Sequence, residues 1–106
     1  MDMKVFTPED AKQHHVASIP DFVIKAINEL LSENYKDQGF SILQDTIITR
    51  ILRYSPEEIT RSSIFSNRWL DIEDLYRQNG WEVEYDKPAY NESYSARFIF
   101  KPKQSI

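Results

Sequence analysis

At Asn79–Gly80 the hydrophobic period changes from that of a helix to that of a strand, and this change limits the possible folds more than any other feature. Upstream, Phe65, Trp69, Ile72, Leu75 and Tyr76 recur at spacings that place them on one helical face. Downstream, in GWEVEYDKPAYNESYSARFIF (residues 80–100), Trp81, Val83 and Tyr85 alternate with Glu82, Glu84 and Asp86. Beyond a polar, tyrosine-rich loop, Tyr94, Ala96, Phe98 and Phe100 alternate with Ser95, Arg97, Ile99 and Lys101. Two strands with this period form a hairpin with one buried face, in which Pro88 belongs to the loop and Tyr85 and Tyr94 face each other across the strands. A helix feeding directly into a hairpin raises the question of whether the loop is a wing.

The upstream elements fit that order. In SIPDFVIKAINELLSEN, Ser18 as cap, Pro20 in the first turn and Asp21 closing an S-x-x-D box predict a helix. Its core face is Phe22, Val23, Ala26, Ile27, Leu30 and Leu31, leaving Lys25, Asn28, Glu29, Ser32 and Glu33 to water. Gly39 permits a turn, and the short apolar run FSILQ is predicted as a brief strand. Asp45 then caps a second helix, DTIITRILRY, with Ile47, Ile48, Ile51 and Leu52 inside and Thr46, Thr49, Arg50 and Arg53 outside. Ser55, Pro56 and Glu58 of SPEE predict a short helical turn. The third helix runs on to Asn79–Gly80, turning Ser63, Asn67, Leu70, Asp71, Asp74 and Gln78 outward.

Residues 1–17 show no apolar periodicity and are expected to form an arm, flexible or loosely docked, with Val5 and Phe6 as its anchors. Residues 18–102 then make one domain, and 103–106 a tail. The expected class is α+β, winged helix-turn-helix-like: three helices with a small antiparallel sheet that includes a C-terminal β-hairpin. A plain three-helix domain with an added hairpin has the same element order. With 106 residues, 41% hydrophobic, the chain can close a single core. It has no cysteine, so disulfides and thiolate metal sites are ruled out, as suits a reducing cytoplasm. The start, MDMKVFTPEDAKQHH, lacks a signal-peptide layout, and no apolar run approaches the roughly 20 residues of a membrane span, so no membrane association is expected.

The blocks IPDFVIKAINELL and WLDIEDLYRQNGWEVEYDKPAYNESYSARFIF resemble a group of small, largely uncharacterised proteins encoded by tailed bacteriophages, over most of residues 19–101. The resemblance implies a phage accessory protein acting in the host cytoplasm. It carries over no activity and no catalytic residue.

Two binding surfaces compete. Seventeen acidic against 13 basic side chains give a formal net charge of -4, which repels nucleic acid weakly. Residues 41–70 are nevertheless mildly basic, and Arg50, Arg53, Arg61 and Arg68 with Ser63 and Asn67 form a candidate phosphate-binding patch near the start of the third helix. The competing view of these arginines is that they are solvated or paired with Glu57 and Glu58. Against DNA stand Asp71 and Asp74 on the outward face of that helix and Glu82, Glu84 and Asp86 leading into the loop. These charges favour a protein partner, from host or phage, engaged through Leu70 as apolar anchor with Asp71, Asp74, Tyr90 and Tyr94 around it. A homodimer burying Leu70 is a further possibility. Catalysis and cofactors are not expected. His14 and His15, adjacent on the chain, match no metal-ligand spacing, and the pairs Glu57–Glu58 and Glu73–Asp74 read as capping and a solvated helix face.

Overall fold

The computed structural model describes residues 5–103; residues 1–4 of the expected arm and 104–106 of the expected tail lie outside them. The first element falls within the arm, where α1 spans Pro8–Ala17. Thr7 Oγ1 accepts from the Asp10 N–H at 3.1 Å, and the Asp10 carboxylate accepts from the Thr7 N–H at 3.2 Å. This reciprocal box, with Pro8 in the first turn, starts the helix without any apolar face, and no residue of α1 is buried. Ser18 belongs to the other end, where its N–H donates to the carbonyls of His15 and Val16 and closes α1. The expected Ser18–Asp21 box is therefore not formed.

Helix α2, Asp21–Asn34, begins at Pro20 and buries Val23, Ala26, Ile27, Leu30 and Leu31, as its spacing requires. Strand β1, Phe40–Leu43, alternates Phe40 and Ile42 inward with Ser41 and Leu43 outward. Gly39 precedes it with a φ of 108°, and a Cβ there would stand 3.4 Å from the Phe100 carbonyl oxygen. Both the left-handed backbone and the close approach favour glycine. Helix α3, Gln44–Tyr54, starts without a side-chain cap: Leu43 stands at the cap position, and Asp45, expected to cap, lies inside the first turn, where its carboxylate accepts from Arg61. Its buried stripe is Gln44, Ile47, Ile48 and Ile51; Leu52, expected inside, is exposed.

SPEE forms no helical turn. Ser55 Oγ accepts from the Glu57 N–H at 3.3 Å and donates to the Glu57 carbonyl at 2.6 Å, a local side-chain turn that competes with helix. Helix α4, Arg61–Ser66, is capped by Thr60, in a reciprocal box with Ser63.

The long third helix of the sequence reading is two short ones, α4 and α5 (Glu73–Gln78). After α4 the Arg68 N–H donates to the Phe65 carbonyl and the Trp69 N–H to the Ile64 carbonyl, both at 3.1 Å, with Arg68 at a φ of 57°. This is the bonding of a Schellman stop, which normally places glycine at the left-handed position. The break permits Leu70 and Ile72, two residues apart, both to be buried. On a continuous helix they would point about 200° apart. Leu70 is thus core, not an outward anchor, and Phe65, expected in the core, is 44% exposed. An arginine in this conformation costs roughly 1–2 kcal/mol. Arg68→Gly is accordingly expected to raise stability by about 1 kcal/mol, net of the exposed ion pair it removes. A higher urea midpoint with an unchanged slope would register the gain.

Strands β2, Trp81–Asp86, and β3, Arg97–Pro102, complete a three-stranded antiparallel sheet of order β1-β3-β2. Phe98 and Phe100 of the central strand pair with Ile42 and Phe40 on one side and with Tyr85 and Val83 on the other. Tyr85 therefore faces Phe98, with ring centroids 4.8 Å apart, and not Tyr94, which precedes β3. The Phe100 ring lies about 6 Å from the rings of Phe40, Tyr76 and Trp81, and the buried faces of α2 and α3 belong to the same core. The class is α+β, with five helices among the described residues where three were expected. None of them is long and apolar enough to cross a membrane.

Candidate interaction surface at the base of the hairpin loop

The arginines of the expected phosphate patch are largely committed within the fold. Arg50 grips the Glu33 carboxylate with both terminal nitrogens, at 2.6 and 3.0 Å, and reaches Glu29 at 3.2 Å. The Tyr54 hydroxyl also donates to Glu29, so the cluster bolts α2 to α3. Arg61 pairs with Asp45 at 2.7 Å and lies over the Phe65 ring, 5.4 Å from its centroid. Arg68 pairs with Asp71 at 3.2 Å. Of the four, only Arg53 has no ion pair among the described residues, and Glu57 and Glu58 serve none of them. Ser63 sits in the α4 cap, while Asn67 donates from its amide to the Ser63 carbonyl at 2.8 Å.

The Arg50 cluster has a pH signature. Its hydrogen bonds hold the Glu33 carboxyl below the ordinary value of 4.5. A carboxyl held low contributes its stabilisation in full above that ordinary value and loses it as pH falls through the lowered one. Arg50→Met should therefore flatten the acid side of the stability profile below pH 4.5, measured by denaturant titration across pH, as well as lowering stability at neutral pH.

The expected protein-binding set is not brought together. Leu70 is inside. Asp71 and Asp74 line a groove with Pro8, Ala11, Lys12 and His15 of α1. His15 Nε2 lies 3.1 Å from the Asp71 carbonyl oxygen, which can only accept, so the proton is on that nitrogen. Lys12 approaches Asp74 at 3.8 Å, and Arg77 does so at 3.5 Å. Tyr90 is fully exposed at the loop tip. Tyr94 folds back, its hydroxyl 2.9 Å from Asp86 Oδ1 and 2.8 Å from the Lys87 carbonyl. The bond to Asp86 pushes the Tyr94 phenol up from its ordinary value.

What the structure does assemble is two small groups near the loop end of the sheet, one on each of its faces. Leu43, Tyr94, Asp86, Ser95 and Arg97 line one cavity, and Arg97 pairs with Asp86 at 3.2 Å beneath it. Next to Leu43, Gln44 accepts from the Tyr85 hydroxyl at 2.7 Å, and Asp45 holds the Arg61 that covers Phe65. Tyr85 lies within electrostatic reach of Arg61 and Glu73. Leu43 and Tyr94 lie beside the Asp86–Arg97 pair on the outer side of the sheet, whereas Tyr85, opposite Phe98, is on the core face, near the Arg61 that covers Phe65; the four are each 38–48% exposed. Each group sets apolar or aromatic side chains beside a matched ion pair, a composition that suits a protein interface.

Tyr94 apart, this grouping was not visible in the sequence. Leu43 and Tyr85 were readable as strand positions, but Phe65 was assigned to the core by the helical period. No group of three or more His, Asp or Glu side chains among the described residues is arranged to hold a metal ion. No protein-family model, curated protein or solved structure matches the chain.

Proposed function

We propose that the chain is a winged-helix-like, non-catalytic binding module that engages a protein through Leu43, Phe65, Tyr85 and Tyr94, with Tyr90 at the loop tip. The sheet order β1-β3-β2, with β1 following α2 and β2 following the broken third helix, supports the winged-helix comparison. The observation that carries the binding mode is that exposed apolar side chains sit beside ion pairs already satisfied within the fold, Leu43 and Tyr94 at Asp86–Arg97 and Phe65 and Tyr85 near Asp45–Arg61. Aromatic side chains set among satisfied charges bind proteins with little desolvation penalty. Non-catalytic action is consistent with the histidines: His15 holds a main-chain carbonyl and His14 lies against the Phe6 ring. The phage resemblance makes the natural setting an accessory role in the host cytoplasm, with a host or phage protein as partner.

The test is affinity capture from infected and uninfected host lysates on immobilised wild type and on a Leu43→Asp, Phe65→Asp variant. Both positions are exposed, so circular dichroism should show an unchanged fold. A partner held by wild type and by Arg53→Ala but lost from the double variant supports the reading. Retention of the same partner by the double variant overturns this surface.

A further inference from the structure

The main chain of β2 carries a second binding feature, made from different atoms than the side chains just described. The Lys103 N–H donates to the Gly80 carbonyl at 3.0 Å, next to the pair Trp81 with Pro102. On the other side of β3, the Gln44 N–H donates to the Ala96 carbonyl at 2.9 Å. In an antiparallel ladder bonded and non-bonded pairs alternate, so both bonds give the same phase. Glu82, Glu84 and Asp86 bond to β3, while Trp81, Val83 and Tyr85 turn their N–H and C=O groups away from it, to the open edge. Only one of those groups has a partner among the described residues: Arg77 Nη2 donates to the Val83 carbonyl at 2.7 Å.

We infer that this edge is a docking site for an extended, basic segment of a partner protein, which adds as a fourth strand, and that Arg77 is an intramolecular placeholder for it. Open main-chain groups give such a strand its hydrogen bonds. Charge selects the occupant. Glu82 and Glu84 are exposed on β2 and have no ion pair among the described residues. A strand added alongside brings its own side chains opposite them, where Lys or Arg is favourable and Glu or Asp is not. The same two glutamates exclude a second copy of this chain. In every antiparallel register that uses Trp81, Val83 and Tyr85, a glutamate of one copy meets a glutamate of the other, a pattern that protects natural edges from self-pairing. Arg77 shows the preference within one molecule: a guanidinium already occupies the central edge carbonyl, with Asp74 at 3.5 Å.

The experiment uses the full chain, isotopically labelled, titrated with a blocked peptide of alternating Lys and Val and with its Glu–Val counterpart. With the basic peptide, hydrogen exchange at the Trp81, Val83 and Tyr85 amides is expected to slow by about tenfold or more. The Arg77 guanidinium resonance should shift as it releases Val83. The acidic peptide should do neither, and a Glu82→Lys, Glu84→Lys variant, its fold checked by circular dichroism, should lose the response to the basic one. Equal response to both peptides, protection of those three amides before any peptide is added, or shifts confined to other residues would overturn the docking edge. Peptide binding with the Arg77 resonance unmoved would overturn the placeholder. Loss of Leu43 and Phe65 leaves this response in place, so failure here and failure of the side-chain surface are separable.

Discussion

Phe100→Ala is expected to destabilise the fold by about 3–5 kcal/mol, the usual cost of emptying a buried aromatic site. Phe100 is fully buried on the central strand, opposite Phe40 and Val83, with the Tyr76 and Trp81 rings edge-on to it. Neighbours from both outer strands and from α5 are held by one side chain, so the cavity has little freedom to collapse. Marginal stability of roughly 5–15 kcal/mol leaves limited reserve, and the melting temperature should fall by roughly 15–30 °C. Ile99→Ala provides the contrast. Ile99 is next along β3 on the opposite face, between Ser41 and Glu84, and its truncation should cost about 1 kcal/mol or less. Thermal melts of the two variants check whether the core lies on the face of β3 that the alternation assigns.

Leu70→Ala is the second large effect, at about 2–5 kcal/mol, and Leu70→Arg should exceed it because a buried charge is left without a partner. A continuous third helix makes the opposite forecast. With Leu70 facing water, both substitutions would stay within about 0.5 kcal/mol. Denaturant midpoints of the two variants therefore report directly on the break between α4 and α5. They also show why Leu70→Arg is unsuitable as an interface variant: loss of binding would follow from loss of fold.

The period change at Gly80, the strand at Phe40–Leu43, most of the buried face of α2 and, in the hairpin, Val83, Phe98 and Phe100 were legible because single residues at fixed spacing decide them, whereas Tyr85 and Tyr94, expected on the same face, are exposed and Tyr94 precedes β3. The helix break was not legible. Phe65, Trp69, Ile72 and Tyr76 satisfy a helical template, and no glycine or proline marks the stop, since an arginine takes the left-handed position. A sign was present in Leu70 and Ile72, two apolar residues that one helical face cannot hold together. Helix α1 escaped because it buries nothing, although Thr7, Pro8 and Asp10 carry the same start signal that was read, wrongly, at Ser18. The fate of the arginines lay beyond local reading. Arg50 finds Glu33 and Glu29 on another helix, 17 and 21 residues away, and Arg61 finds Asp45 at a separation of 16. Sequence gives the charges, but only the packing of α2, α3 and α4 pairs them.

That pairing leaves only Arg53 of the four arginines without an ion pair among the described residues, so the first measurement is fluorescence anisotropy of mixed-sequence duplex and single-stranded DNA with the purified chain, at low and at physiological salt. With Arg50, Arg61 and Arg68 already matched and the formal net charge at -4, the expected result is no saturable binding even at low salt. Micromolar binding that falls steeply with salt and weakens in Arg53→Glu would contradict the account. It would make the arginine patch, and not the proposed side chains Leu43, Phe65, Tyr85 and Tyr94, the functional site.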